Sequence, residues 1–159
     1  QGKEDEILRI LEKYGIRKAV LSDRQDSEMD KVSVEMWGSG NPMREFLWSE
    51  DMADACVYLM EKVDFKDVVD KASASTKGIS GEIRNTHINI GTGKEISIRN
   101  LALMVKQIIG FRGKLVFNSS KPDGTLRKLT DPSKLHQLGW HHKVEIEEGM
   151  QRIYEWYKS

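Results

Sequence analysis

Val32-Ser33-Val34-Glu35-Met36-Trp37-Gly38-Ser39-Gly40-Asn41-Pro42-Met43-Arg44 is the stretch on which the fold turns. Val32, Val34 and Met36 alternate with polar residues, the period of a strand covered on one face. Gly38 to Pro42 then breaks the chain. Ser49 followed by Glu50 and Asp51 predicts a helix start, a capping hydroxyl and then negative charge at the positive end of the helix dipole. Met52, Ala55, Cys56, Leu59, Met60 and Val63 mark one continuous apolar face on that helix.

The same alternation extends to both sides. Upstream, Ile7, Leu8, Leu11 and Tyr14 share one helical face, and Gly15 supplies a stop. Residues 16–31 are charged and patternless and are expected to form a loop. Downstream, residues 64–85 are rich in Lys, Asp and Ser, which predicts a long exposed loop of the kind that marks an insertion or a lid. His87-Ile88-Asn89-Ile90 predicts a strand ending at Gly91-Thr92-Gly93. Ser97 caps a helix with a buried stripe of Leu101, Ala102, Val105, Ile108 and Ile109, closed by Gly110. Leu115-Val116-Phe117 is a further strand, and Asn118 to Leu126 a polar turn region. Asp131-Pro132 opens a short helix that Gly139 closes, and Ile146, Met150, Ile153, Tyr154 and Tyr157 make the last helix amphipathic. Strands alternating with helices give the fold class α/β.

The chain has 159 residues, enough for one domain with its own core. Its 25 basic and 25 acidic side chains cancel, so no basic footprint points to nucleic acid. No apolar run approaches the length of a membrane span. The opening residues are polar, without a signal-peptide pattern, and Gln1-Gly2 in place of an initiator methionine suggests a start in mid-protein. Cys56 is the one cysteine, which excludes an internal disulfide and suits a cytoplasmic setting. On an apolar helix face it is expected to be a small core residue.

Two segments carry candidate chemistry. Trp37 to Arg44 places an aromatic surface and a guanidinium together at a strand end, suited to a ring and a diphosphate; a surface arginine beside an ordinary half-buried tryptophan is the plainer alternative. Ser120 to Lys128 offers cations to phosphates and the Asp123 carboxylate to a guanine edge or a sugar hydroxyl, or else is simply a solvated charged turn. Gly91-Thr92-Gly93 lacks the third glycine of a dinucleotide fingerprint and stands late in the chain, so a tight turn is expected. Tyr14 and Lys18 have the Tyr-x-x-x-Lys spacing of a catalytic pair, but Gly15 interrupts the helix between them. His136, His141 and His142 supply no set of metal ligands at regular spacing.

In order, Trp37-Gly-Ser-Gly-Asn-Pro-Met-Arg-Glu-Phe-Leu-Trp-Ser-Glu-Asp-Met-Ala, Ile88-Asn-Ile-Gly-Thr-Gly, Ser120-Lys-Pro-Asp-Gly-Thr-Leu-Arg-Lys-Leu-Thr-Asp and Leu135-His-Gln-Leu-Gly-Trp resemble the GDP-L-fucose synthase family of extended short-chain dehydrogenases. The resemblance covers about residues 32–157. It implies an NADP(H)-dependent epimerase and reductase that converts GDP-4-keto-6-deoxy-D-mannose to GDP-L-fucose, homodimeric when whole and without nucleic-acid or membrane partners. Carried over by motif, Trp37, Arg44 and Asp123 are GDP-sugar contacts, and Lys128 is a further cation for the diphosphate. A 4-epimerase or 4,6-dehydratase of nucleotide sugars, or a non-catalytic nucleotide-binding module, is the alternative.

The resemblance also implies a boundary. The glycine-rich cofactor loop and the catalytic Ser, Tyr and Lys would lie upstream of residue 1. The expectation is therefore a C-terminal substrate-binding lobe with a few elements that pack on the cofactor lobe. Residues 1–31 would be a lineage-specific insertion or linker with one helix, and residues 32–159 the GDP-sugar-binding portion. Such a piece would be non-catalytic, would hold no cofactor, and would have the missing N-terminal half as its partner. The Ser49–Val63 helix and the His87–Ile90 strand would then show an apolar face at the junction.

Overall fold

The computed structural model describes residues 2–18, 32–71 and 83–159. Their elements are α1 (Gly2–Lys13), β1 (Ile16–Lys18), β2 (Val32–Trp37), β3 (Met43–Arg44), α2 (Ser49–Lys62), α3 (Phe65–Lys71), β4 (Ile96–Ser97), α4 (Ile98–Ile108), β5 (Lys114–Asn118), β6 (Arg127–Lys128), α5 (Ser133–Gln137) and α6 (Ile146–Lys158). One sheet has the order β1-β2-β5, and a second, of two-residue strands, has the order β4-β3-β6. The chain divides into two compact units, residues 1–43 with 97–127 and residues 44–96 with 128–159.

In the first unit β2 is the central strand. It pairs antiparallel with β1, Val34 opposite Ile16, and parallel with β5, Val34 opposite Leu115 and Trp37 opposite Asn118. The alternation of β2 sorts its side chains between two faces. Val34 and Met36 line an apolar groove with Leu115 and with Leu101 and Val105 of α4. Glu35, on the other face, pairs with Arg17 (3.1 Å) and accepts from Asn118 Nδ2 (2.9 Å). Ser97 caps α4 as its sequence predicts, accepting the Asn100 N–H at 3.1 Å.

The second unit is built around Ala55, Leu135 and Trp140, with Leu47, Tyr58, Leu59, Ile88 and Ile90 packed against them. Polar groups of these side chains find partners at the core edge: Trp140 Nε1 donates to Asp54 (2.9 Å) and the Tyr58 hydroxyl to the Leu138 carbonyl (3.0 Å).

Several local expectations are corrected. Residues 16–18, expected as loop, are strand β1, because the exposed edge of β2 accepts them as a partner; residues 19–31 of that predicted loop lie outside the described residues. Phe65–Lys71 is a helix within the predicted 64–85 loop, whose residues 72–82 are likewise outside the described set. His87–Ile90 forms no strand. The segment is held by side chains instead: Lys134 Nζ donates to the Asn85 and His87 carbonyls, and Asn89 Nδ2 to the Asp131 carbonyl. Ser49 is the first helical residue rather than the cap, and Trp48 at the cap makes no side-chain capping bond.

Helix α2 is also turned from its predicted face. Asp51 and Ala55 are its buried residues, whereas Cys56 is exposed and Met60 is 78% exposed. The cause is Asp51, only 3% exposed, whose Oδ2 accepts the Lys143 and Val144 N–H groups at 2.9 Å each. Bonding two otherwise orphaned donors outweighs burial of a methionine or a thiol on that side.

Candidate functional site

In the first unit the candidate residues meet at the carboxyl end of β2. Gly38 has φ +84, open to glycine alone without strain, and a Cβ there would collide with Asp123 Oδ1. The loop turns at this point and lies on Asp123, which takes the Ser39 N–H on Oδ1 (2.8 Å) and the Ser39 hydroxyl on Oδ2 (2.6 Å). These two bonds, the hydroxyl first, hold the Asp123 carboxyl below the usual carboxylate range. Arg99 Nη2 donates to the Ser39 carbonyl (2.5 Å), and its guanidinium lies 3.9 Å from the Phe117 ring centre.

Trp37 emerges beside this latched loop. It is 74% exposed rather than half-buried, with Lys121 Nζ 5.4 Å from the centre of its ring. The structure thus brings Trp37 and Asp123 into one constellation, adds Lys121 to it, and makes Asp123 the anchor of the loop. Tyr14 and Lys18 share no helix face: Tyr14 follows the end of α1, and Lys18 lies on β1.

Arg44 and Lys128 belong to the second unit, on β3 and β6. Arg44 lines a shallow pocket with Phe46, Thr92, Lys94, Glu95 and Glu145. Lys94 Nζ reaches Glu145 Oε1 at 2.5 Å, and His142 Nε2 lies 3.3 Å from the same oxygen. Lys128 is exposed.

The residue that sequence reasoning missed is Glu45. Its Oε1 accepts the Thr92 N–H (2.6 Å), the Gly93 N–H (2.7 Å) and the Thr92 hydroxyl (3.2 Å), and its Oε2 accepts the Thr130 N–H (3.0 Å) and hydroxyl (2.6 Å). Burial pushes this carboxyl up, but the Thr130, Gly93 and Thr92 donors together outweigh it and hold the group below its ordinary value. Gly91 is buried, and a Cβ there would collide with Thr130 Oγ1 and stand 2.6 Å from Glu45 Oε1. A signal was present in the sequence: a carboxylate next to a candidate arginine, with a glycine turn elsewhere in need of an acceptor for its N–H groups.

Among the described residues no group of three or more His, Cys, Asp or Glu side chains could hold a metal, and no helix is long and apolar enough to cross a membrane. Strands alternating with helices, with polar groups gathered on strand-end loops, define an α/β protein. The chain belongs to the NAD dependent epimerase/dehydratase family, which matches residues 7–91.

Among curated proteins it is 44% identical over 124 residues to a putative GDP-L-fucose synthase 2 of Arabidopsis thaliana, covering 78% of this chain and 32% of that protein. It is 42% identical over 127 residues to the GDP-L-fucose synthase of Escherichia coli K12, covering 78% and 36%. Among solved structures, a GDP-6-OMe-4-keto-L-xylo-heptose reductase from C. jejuni is 45% identical with a TM-score of 0.75, covering 97% of this chain and 38% of that one. A GDP-mannoheptose C4 reductase from Campylobacter jejuni with NADP bound is 42% identical with a TM-score of 0.74, covering 98% and 37%. The chain spans about a third of the length of the curated relatives it matches.

The family match corrects the expected boundary. Residues 7–91 fall within the family's own NAD-dependent region, so the chain is not a C-terminal substrate lobe set apart from it. The fold class of a separate lobe falls with that boundary. So do the expectations of a non-catalytic fragment, of a cofactor confined to an absent half, and of that half as the chain's partner. The error lay in equating one motif with a whole domain. A glycine fingerprint marks only the first strand-turn-helix of a dinucleotide-binding domain; the later elements carry no motif beyond alternating strands and helices.

The N–H groups of Thr92 and Gly93, which a pyrophosphate would need, are both committed to Glu45 Oε1. Gly91-Thr92-Gly93 therefore does not fit a pyrophosphate.

Proposed function

We propose that the chain is part of an NAD(P)-dependent enzyme that epimerises or reduces the sugar of a GDP-sugar, and that Trp37, Arg44, Asp123 and Lys128 serve the nucleotide. The observation that carries this reading is Trp37. A tryptophan 74% exposed at a strand end gains little from the fold, yet its loop is latched by Asp123 and its ring has a lysine beside it. Such a surface suits a base stacked on the indole and phosphate near the ammonium. Asp123 keeps acceptor capacity after binding Ser39, since each carboxylate oxygen has two lone pairs. Arg44 and Lys128 supply charge for the diphosphate, Arg44 as a planar fork. A cytoplasmic setting goes with this reading, Cys56 being a free, exposed thiol.

For the sugar itself, GDP-L-fucose synthesis is favoured by the Ser120 to Lys128 segment. Reduction of a GDP-linked 4-keto-heptose is the second reading, favoured by the Campylobacter reductases, which match 97–98% of the chain at 42–45% identity. Comparing turnover of the two keto sugars by the whole enzyme separates them. The nucleotide reading is tested by titrating GDP against the chain and its Trp37→Ala variant while following indole fluorescence. Quenching by GDP in the parent and a roughly tenfold weaker affinity in the variant are expected, the scale of one lost base-aromatic stack. Equal affinities would remove Trp37 from the site.

A further inference from the structure

Glu45 gathers five donors from two segments that are 47 and 85 residues away in sequence. Gly91 is buried and Thr92 half-buried, so Glu45 supplies an acceptor to a turn with limited access to water, and it does more than that. What the arrangement achieves is positional. Glu45 follows Arg44 directly, and the pocket lined by Arg44 has the Thr92–Lys94 turn among its other walls. Anchoring Glu45 on the turn fixes the backbone at its neighbour Arg44, and with it the point from which the guanidinium leaves the chain. Glu95 and Glu145 also line the pocket, and Glu145 already holds Lys94. Arg44 and Lys94 are the cations among the described residues that line this pocket, and a diphosphate there needs their charge at a fixed place.

We infer that Glu45 is a positioning residue, fixing the Arg44 backbone against the Thr92–Lys94 turn so that the guanidinium meets the diphosphate of a nucleotide sugar. This rests on the reading of Arg44 as a diphosphate contact. The chemistry asks for a carboxylate. An amide of the same size would set an NH2 against one of the two donor sets, Thr92 with Gly93 or Thr130, and release that segment without leaving a cavity.

The test is calorimetric titration of GDP against the parent chain, Arg44→Ala, Glu45→Gln and the double variant. Glu45→Gln is expected to weaken GDP about tenfold, and the double variant to bind no more weakly than Arg44→Ala, the signature of two residues acting through one contact. Independent, multiplying losses, or full affinity in Glu45→Gln while Arg44→Ala is weakened, would overturn the inference and leave the site reading intact. Full affinity in Arg44→Ala would overturn both. Should Glu45→Gln not fold, Thr130→Val removes one hydroxyl donor alone. About threefold weaker GDP binding is then expected, the share of one bond among several, and unchanged affinity overturns the inference.

Discussion

At the scale of single residues, two glycines are explained by carboxylates. Gly38 leaves room for Asp123 to reach Ser39, and Gly91 leaves room for the Thr130 and Glu45 side chains to meet. Gly91 needs no unusual φ; what it lacks is space for a methyl group. Gly91→Ala should therefore cost about 2–3 kcal/mol, combining overpacking with the loss of at least one charge-assisted bond. Urea unfolding at neutral pH measures it, with the slope of the transition unchanged. A variant as stable as the parent would mean that the carboxylate cluster can move aside at no cost.

At the scale of elements, the segment from α5 to α6 carries an acid sensitivity. His136 on α5 stacks on His141 with ring centres 4.3 Å apart, and His136 Nε2 and His142 Nδ1 are buried without a partner. Burial first, then the neighbouring His141 and His142, lower the His136 pKa from 6.5, against a smaller opposing effect of Asp131. Its neutral form is the one the fold favours. As pH falls through about 6.5 the unfolded chain takes up this proton first, so stability present above that pH is lost progressively down to the folded value. Thermal unfolding should show Tm falling between about pH 7 and pH 5, with a shallower fall in His136→Gln. Identical slopes in the two proteins would leave the histidine without a role in the acid response.

At the scale of the whole molecule, the apolar surface is distributed differently from the expected junction. Ile88 and Ile90 pack against the core of the second unit, whereas the first unit holds an apolar groove of about 490 Å³ between β1-β2-β5 and α4. Ile16, Val34, Met36, Leu101, Val105 and Leu115 line it, and among the described residues Lys106 is its one charged side chain. Open apolar surface of this kind takes up hydrophobic dyes. We expect anilinonaphthalene sulfonate fluorescence to rise on addition of the natively folded chain, and the rise to be cut by Leu101→Lys at a concentration where circular dichroism is unchanged. No enhancement by the parent chain would mean that the groove is closed in solution.

The alternation at Val32 to Met36, the Ser97 cap and the glycine stops specified β2, α4 and the ends of α1 and α4 from residue order alone. These features are local: a strand's period, a hydroxyl three residues before an N–H, a glycine at positive φ. Trp37 and Asp123 were legible as candidates for a similar reason, because their loops carry unusual residues in a short span. Tertiary structure alone decided that Asp51 rather than Met52 and Cys56 faces the core, that Ile16–Lys18 is a strand, and that Glu45 binds a turn 47 residues away. In each of these the deciding partner is a backbone N–H, or the edge of a strand. Every residue but proline offers the same backbone N–H, so residue identities along the chain do not say which distant one a given carboxylate will find.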